Sequence, residues 1–226
     1  MIVREGSAAA PPPALPTRHP EDSLLMAYAA GSLPEAAALV VATHMAYCPL
    51  CRAEVGRFEA VGGALLDDAS PAEVDSGALD AVLARLDGRE PAPAPAPAFA
   101  QGTPRPLRDY LGGTLEEVKW RRLIPGVRQA PIAVADPAAR LGLLKIKAGS
   151  GVPVHTHEGG ELTLVLRGWF TDSTGAYRPG DFAYADDELT HRPIAGEGDD
   201  CICLALNEGP MRLTGPVGRL LNPFVR

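Results

Sequence analysis

Residues 91–98 read PAPAPAPA, and two more prolines follow at Pro104 and Pro106. Proline has no backbone amide to donate, so such a run breaks helices and is barred from central strands. It settles into extended polyproline geometry and acts as a semi-rigid spacer. A chain of 226 residues is long enough for a modest domain on each side. No segment before the tract repeats after it. The predicted division is a disordered leader over residues 1–17, a helical domain over 18–88, a Pro/Ala-rich linker over 89–106 and a second domain over 107–226.

The first side reads as helices. EDSLLMAYAA sets Leu24, Leu25 and Tyr28 on one face and stops at Gly31, a residue suited to the left-handed turn that ends helices. SLPE, residues 32–35, has the form of a capping box in which Ser32 caps and Glu35 reaches back. The helix it opens is predicted to run to about Tyr47. Pro49 suits the first turn of a third helix, with Val55, Phe58 and Val61 facing inward. GALDAVLARLDG spaces Leu79, Val82, Leu83 and Leu86 as one stripe of a fourth helix ending at Gly88. A single stripe reads either as core or as a surface for a partner.

The second side reads as strands. LGLLKIK, ELTLVLRGWF, DFAYA and CICLAL are short, apolar or alternating, and separated by turn signals such as Gly159-Gly160 and Pro179-Gly180. Many short strands in this length predict a small sandwich or barrel. The fold class is therefore α + β in two domains, a helical bundle followed by a small β-sandwich or barrel.

Charge separates the two sides. Residues 1–86 hold 11 Asp/Glu against 5 Lys/Arg, net −6, and residues 87–226 hold 17 against 16, net −1. An acidic first part argues against direct contact with nucleic acid and suits a basic protein partner, or is ordinary solubilising charge. The N-terminus lacks the apolar core of a signal peptide, and no apolar run reaches membrane-spanning length. The four cysteines fall as two close pairs, Cys48/Cys51 and Cys201/Cys203, which fits metal or redox chemistry in a reducing cytoplasm better than a secreted disulfide framework.

HMAYCPLC, residues 44–51, concentrates soft ligands. His44 and Cys48 are four apart and share a helical face, and Cys51 follows across the junction at Pro49. Two cysteines with two residues between them can grip one tetrahedral ion. His19 is the other histidine on this side, and a helical hairpin returns it to the same end. The expected site is His19, His44, Cys48 and Cys51, a closed shell for zinc with no position left for catalysis.

GSGVPVHTHEGGELTLVLRG, residues 149–168, holds a second pattern. On a strand His155 and His157 face the same side. Glu161 opens the next strand after a Gly-Gly turn, and His191 lies further on. Three imidazoles and a carboxylate suit zinc or another divalent transition metal. All five histidines of the chain are then used. Cys201 and Cys203 share one face of a strand, and read either as small core residues or as thiols that contribute to redox sensing.

The HxH, Glu and later His resemble the first motif of the cupin superfamily and its distant ligand, and the resemblance implies an antiparallel β-barrel with a metal bound inside. The spacing from Pro179-Gly180 to His191 is longer than usual there. The pairing of HxxxCxxC helices with a cupin resembles the ChrR-type zinc-binding anti-sigma factors over the whole chain, in segments such as AYAAGSL, VVATH, RDYLGG, ELTLVLRG and DCICLA. That resemblance implies a helical domain that binds zinc at His19, His44, Cys48 and Cys51 and grips an extracytoplasmic-function type sigma factor one to one. It implies a cupin liganded by His155, His157, Glu161 and His191 that governs release by singlet oxygen or related oxidants. It implies a regulator and no enzyme, without direct contact to nucleic acid or membrane. The alternative is a metal-dependent cupin enzyme, dioxygenase-like, with a regulatory helical domain.

Overall fold

The computed structural model describes residues 15–86, 99–100 and 102–214, with the backbone alone for residues 99 and 100. The Pro-Ala tract lies outside them, as does the leader up to residue 14. Four helices make the first side: α1 (Asp22–Ala29), α2 (Glu35–Tyr47), α3 (Pro49–Asp67) and α4 (Ala78–Leu86). Gly31 takes φ +66° after α1, and Pro49 stands in the first turn of α3, as the sequence predicts.

Three details differ from expectation. The capping box does not form: Ser32 donates its hydroxyl to the Ala27 carbonyl, and Glu35 turns away to accept from the Tyr110 hydroxyl (2.8 Å) and the Ala135 amide (2.6 Å). Val61 is exposed, because α3 runs on past the bundle after Val55 and Phe58 have packed. Residues 15–17 of the expected disordered leader are ordered, with Pro16 buried and Thr17 bonded to Asp181.

After a short pair of strands, β1 (Phe99–Ala100) and β2 (Thr103–Pro104), the second side opens with helix α5 (Arg105–Leu111) and a 3-10 turn at Leu115–Glu117. Then come β3 (Arg121–Ile124), β4 (Val127–Pro131), β5 (Arg140–Ile146), β6 (His155–His157), β7 (Glu161–Arg167), β8 (Phe170–Asp172), β9 (Gly175–Tyr177), β10 (Phe182–Ala185), β11 (Ile194–Ala195), β12 (Cys201–Asn207) and β13 (Met211–Leu213). Six of them form one antiparallel sheet in the order β10-β7-β12-β5-β4-β3. The smaller sheet β11-β8-β9 and the pair β13-β6 close over its inner face, joined by bridges at Gly151–Ile194 and His155–His191.

Period-two alternation sorts the large sheet into two faces. Val165, Cys201, Cys203 and Ile146 point inward to Phe170 and Tyr177. Leu162, Leu164, Leu166, Ile202, Leu204 and Leu206 point outward and are covered by α2 and α5.

That cover joins the two sides. Helix α2, EAAALVVATHMAY, is apolar nearly all round, the pattern of a helix buried on more than one side. Ala36, Ala37, Leu39 and Val40 belong to the core of the sheet, while Val41 and Met45 pack with Leu25, Cys48, Cys51 and Val55 in the helical bundle.

Candidate metal centres

Both expected ligand groups come together. In each of them the four candidate donor atoms lie within 4.8 Å of one another.

In the helical domain, α2 carries His44 on its last turn. Cys48 follows as the residue that caps α3, accepting from the Cys51 amide at 3.4 Å. His19, just before α1, sets Nδ1 at 3.4 Å from Cys48 Sγ and 3.5 Å from Cys51 Sγ. His44 Nε2 lies 3.2 Å from Cys51 Sγ. A tetrahedral ion with zinc–nitrogen and zinc–sulfur bonds of ordinary length sets its ligands about 3.3–3.8 Å apart, so these separations suit zinc. His44 is fully buried, and burial pulls its pKa down to about 4. Its Nδ1–H donates to the Gly180 carbonyl at 2.7 Å, which leaves the Nε2 lone pair facing the sulfurs. Burial pushes the Cys51 thiol up to about 12, helped by Cys48. The pocket disfavours a bare thiolate at Cys51, and a cation held between the four donors would offset that cost.

In the barrel, β6 turns His155 and His157 inward and Glu161 opens β7. His191 reaches them from the loop that leads to β11. All four are buried. His191 Nε2 is 3.1 Å from His155 Nε2 and 3.4 Å from His157 Nε2, and Glu161 Oε2 is 3.3 Å from His157 Nε2. His155 donates Nδ1–H to the Pro153 carbonyl (2.7 Å), and His191 donates Nδ1–H to Asp172 Oδ2 (2.9 Å). Those bonds leave the Nε2 lone pairs of His155 and His191 pointed at one another. Converging lone pairs repel, and a shared cation removes the conflict. Burial lowers the His155 pKa to about 4, in keeping with a neutral imidazole ligand.

Asp172 orients His191 and was not anticipated from sequence. Burial raises its carboxyl, but the hydrogen bonds from His191 and Thr174 outweigh this and hold it below the ordinary value. Its DSTG context gives only a turn signal, and the pairing to His191 is tertiary. The same holds for Asp181, buried and bonded to the amides of Thr17 and Arg18.

Cys201 and Cys203 lie side by side inside the barrel, Sγ to Sγ 3.6 Å, both reduced and buried. The bond to Cys201, then burial, raises the Cys203 thiol well above its usual value. The α4 stripe is uncovered: Leu79, Val82, Leu83 and Leu86 are 67, 52, 48 and 53% exposed. Leu65, Leu66 and Val74 extend the apolar exposure nearby in sequence. No described helix is long and apolar enough to cross a membrane.

The ChrR cupin-like domain family matches residues 111–212, and a zinc-finger family matches residues 22–52. The anti-sigma-E factor ChrR of Cereibacter sphaeroides is 48% identical over 209 residues, which cover 92% of this chain and 97% of that protein. The crystal structure of Rhodobacter sphaeroides SigE in complex with the anti-sigma ChrR contains a chain 48% identical to this one. The match has a TM-score of 0.73 and covers 84% of this chain and 98% of that one.

Proposed function

The chain belongs to the ChrR family of anti-sigma factors, and from that premise we propose that it sequesters a sigma factor of extracytoplasmic-function type in a 1:1 complex in the cytoplasm. The observation that carries the reading is its relative, matched over nearly the whole length and captured in complex with SigE. The exposed stripe Leu79, Val82, Leu83 and Leu86 is the contact surface we assign to the partner, and the net −6 of the first part complements a DNA-binding protein. Bound there, the helical domain covers sigma surfaces that polymerase would otherwise use. The regulator reading stands above a metal-dependent enzyme because the relative that spans both domains is an anti-sigma factor.

The helical domain holds one structural zinc at His19, His44, Cys48 and Cys51. A tetrahedral Cys₂His₂ shell is closed, so the ion ties α1, α2 and the start of α3 together and does no chemistry. The cupin holds a divalent transition metal at His155, His157, Glu161 and His191. Release follows oxidation inside the barrel by singlet oxygen or a related oxidant. Imidazoles, thiols and the Tyr177 phenol are the oxidisable groups there, and the raised Cys203 thiol disfavours the reactive thiolate form.

The contact surface is tested by co-purifying the chain with its sigma factor. The Leu79→Asp/Leu83→Asp double variant is expected to weaken the complex by roughly 100-fold or more, since buried apolar anchors cost about 2 kcal/mol or more each when lost. Its metal content is expected to match the wild type, because α4 carries no ligand. Undiminished binding by this variant would remove the stripe from the interface. Turnover of small organic substrates by an iron-loaded chain, with no sigma complex formed, would return the enzyme reading.

A further inference from the structure

We propose that the barrel segment from Asp172 to Asp181 couples the two metal centres, with Asp181 and Arg18 as positioning residues that let the state of the cupin site set how firmly the helical site holds its ion. The inference rests on the reading of both groups as metal sites.

The segment touches ligands of both. At one end, Asp172 Oδ2 accepts from His191 Nδ1 at 2.9 Å. Its other oxygen accepts from the Thr174 amide (2.8 Å) and hydroxyl (2.5 Å). The Thr174 carbonyl accepts from the Arg18 guanidinium at 3.0 Å, and that guanidinium lies 4.7 Å above the Tyr177 ring. Arg18 is joined by its peptide bond to the ligand His19. A path of five residues, His191, Asp172, Thr174, Arg18 and His19, thus runs from one metal group to the other.

The far end of the segment grips the helical site twice. Asp181 is 3% exposed, and its Oδ1 accepts from the amides of Thr17 (2.7 Å) and Arg18 (3.1 Å) while Oδ2 accepts from the Arg178 amide (2.8 Å). The Phe182 amide donates to the Arg18 carbonyl at 3.1 Å, so residues 17 and 18 are stitched to the start of β10. One residue earlier, the Gly180 carbonyl accepts from His44 Nδ1. Two of the four donors of the helical site, His19 and His44, are therefore set by one barrel turn. Gly180 has φ +89°, and a Cβ there would stand 2.6 Å from Pro16 Cγ and 2.8 Å from Tyr47 Cβ. Only glycine brings its carbonyl that close to α2. Strand β10 then pairs Ala185 with the cupin ligand Glu161. A shift of Glu161 or His191 has a bonded route at each end of the segment.

Hydrogen bonds behind a metal ligand fix its orientation, and their loss costs roughly 10- to 100-fold in metal affinity. The test uses the full-length protein loaded with cobalt. Thiolate-to-cobalt absorption reports the helical site alone, because the cupin group contains no sulfur. The wild-type band comes first: its absence defeats the reading of the helical group as a metal site, separately from any coupling. Release to a chelator is then timed. We expect Arg18→Ala to speed loss of the cobalt–thiolate band about tenfold, and Asp181→Ala by more, with Asp181→Asn recovering part through its remaining oxygen. Glu161→Ala, which opens the cupin shell, is expected to speed release from the helical site as well. In the Glu161→Ala/Arg18→Ala double variant the two effects are expected to fall short of their product, since both act through one segment. Arg18 is a partly exposed side chain, so its removal leaves the fold in place should Asp181→Ala fail to fold. Glu161→Ala with an unchanged rate at the helical site, or effects that multiply in full, would overturn the proposal.

Discussion

Replacing Cys48 and Cys51 together by serine is expected to remove close to one equivalent of zinc, melt α1 and α3, leave α2 on the sheet and abolish sigma binding. Serine is a poor zinc ligand, and His19 and His44 alone do not close a tetrahedral shell. Helices α1 and α3 have little else to hold them. The bundle's own buried core beyond the ligands is Leu25, Val41 and Val55, with α2 turning its other face to the barrel. Apparent binding free energies of structural zinc are about 10–16 kcal/mol at neutral pH. The folded state of a domain is favoured by about 5–15 kcal/mol, so losing the ion removes a share comparable to the whole margin. Elemental analysis with circular dichroism decides it: unchanged zinc and unchanged helicity would defeat the structural role. A cupin metal that survives in the same variant would place the loss at the helical site.

A charge at Val40 is expected to destabilise the helical side and the barrel together. Val40 is fully buried, with Leu39 beside it, in the core that also holds Leu162, Leu164 and Leu204. Val40→Asp places a carboxyl among these side chains with no partner within the core, a change of the kind that costs more than about 4 kcal/mol. Leu39→Ala is milder, about 2–5 kcal/mol, and leaves enough folded protein to measure. In both variants helical and sheet signals are expected to lose stability in parallel. The wild type is expected to unfold in one calorimetric transition. A sheet transition that keeps its wild-type midpoint in Leu39→Ala would mean that the two sides stand independently, as a Pro-Ala spacer alone suggests.

The local members of each candidate metal group were legible because their spacing is set by one element each. His44 and Cys48 need only a helix, and His155 and His157 only a strand. His19 came from economy, as the other histidine on its side of the chain, and His191 from its place after the Pro179-Gly180 turn and the resemblance to cupins. Asp172 and Asp181 were not legible. There are 28 acidic residues, and what distinguishes these two is burial against amides and an imidazole distant in sequence. Glu35 shows the same limit from the other side: its position favours a local cap, and tertiary partners at Tyr110 and Ala135 win. The burial of α2 on two sides could have been read, because EAAALVVATHMAY offers no continuous polar face. The hairpin of β3 and β4 also had a signal in Pro125-Gly126, where two short segments meet at a turn.

Helix α2 bears on how such a protein can be rebuilt. The Pro-Ala tract invites a cut-and-join there, with a sensor from one relative grafted onto the sigma-binding helices of another. The seam that must match is elsewhere. Ala36, Ala37, Leu39 and Val40 would meet a foreign sheet, and His44 would look for a carbonyl that only a glycine turn of the right shape presents. A working chimera needs the outward face of α2 and the residues from Pro16 to His19 to travel with the barrel they fit. The inheritable module is thus drawn by surface complementarity, and it crosses the boundary that the prolines mark in the chain.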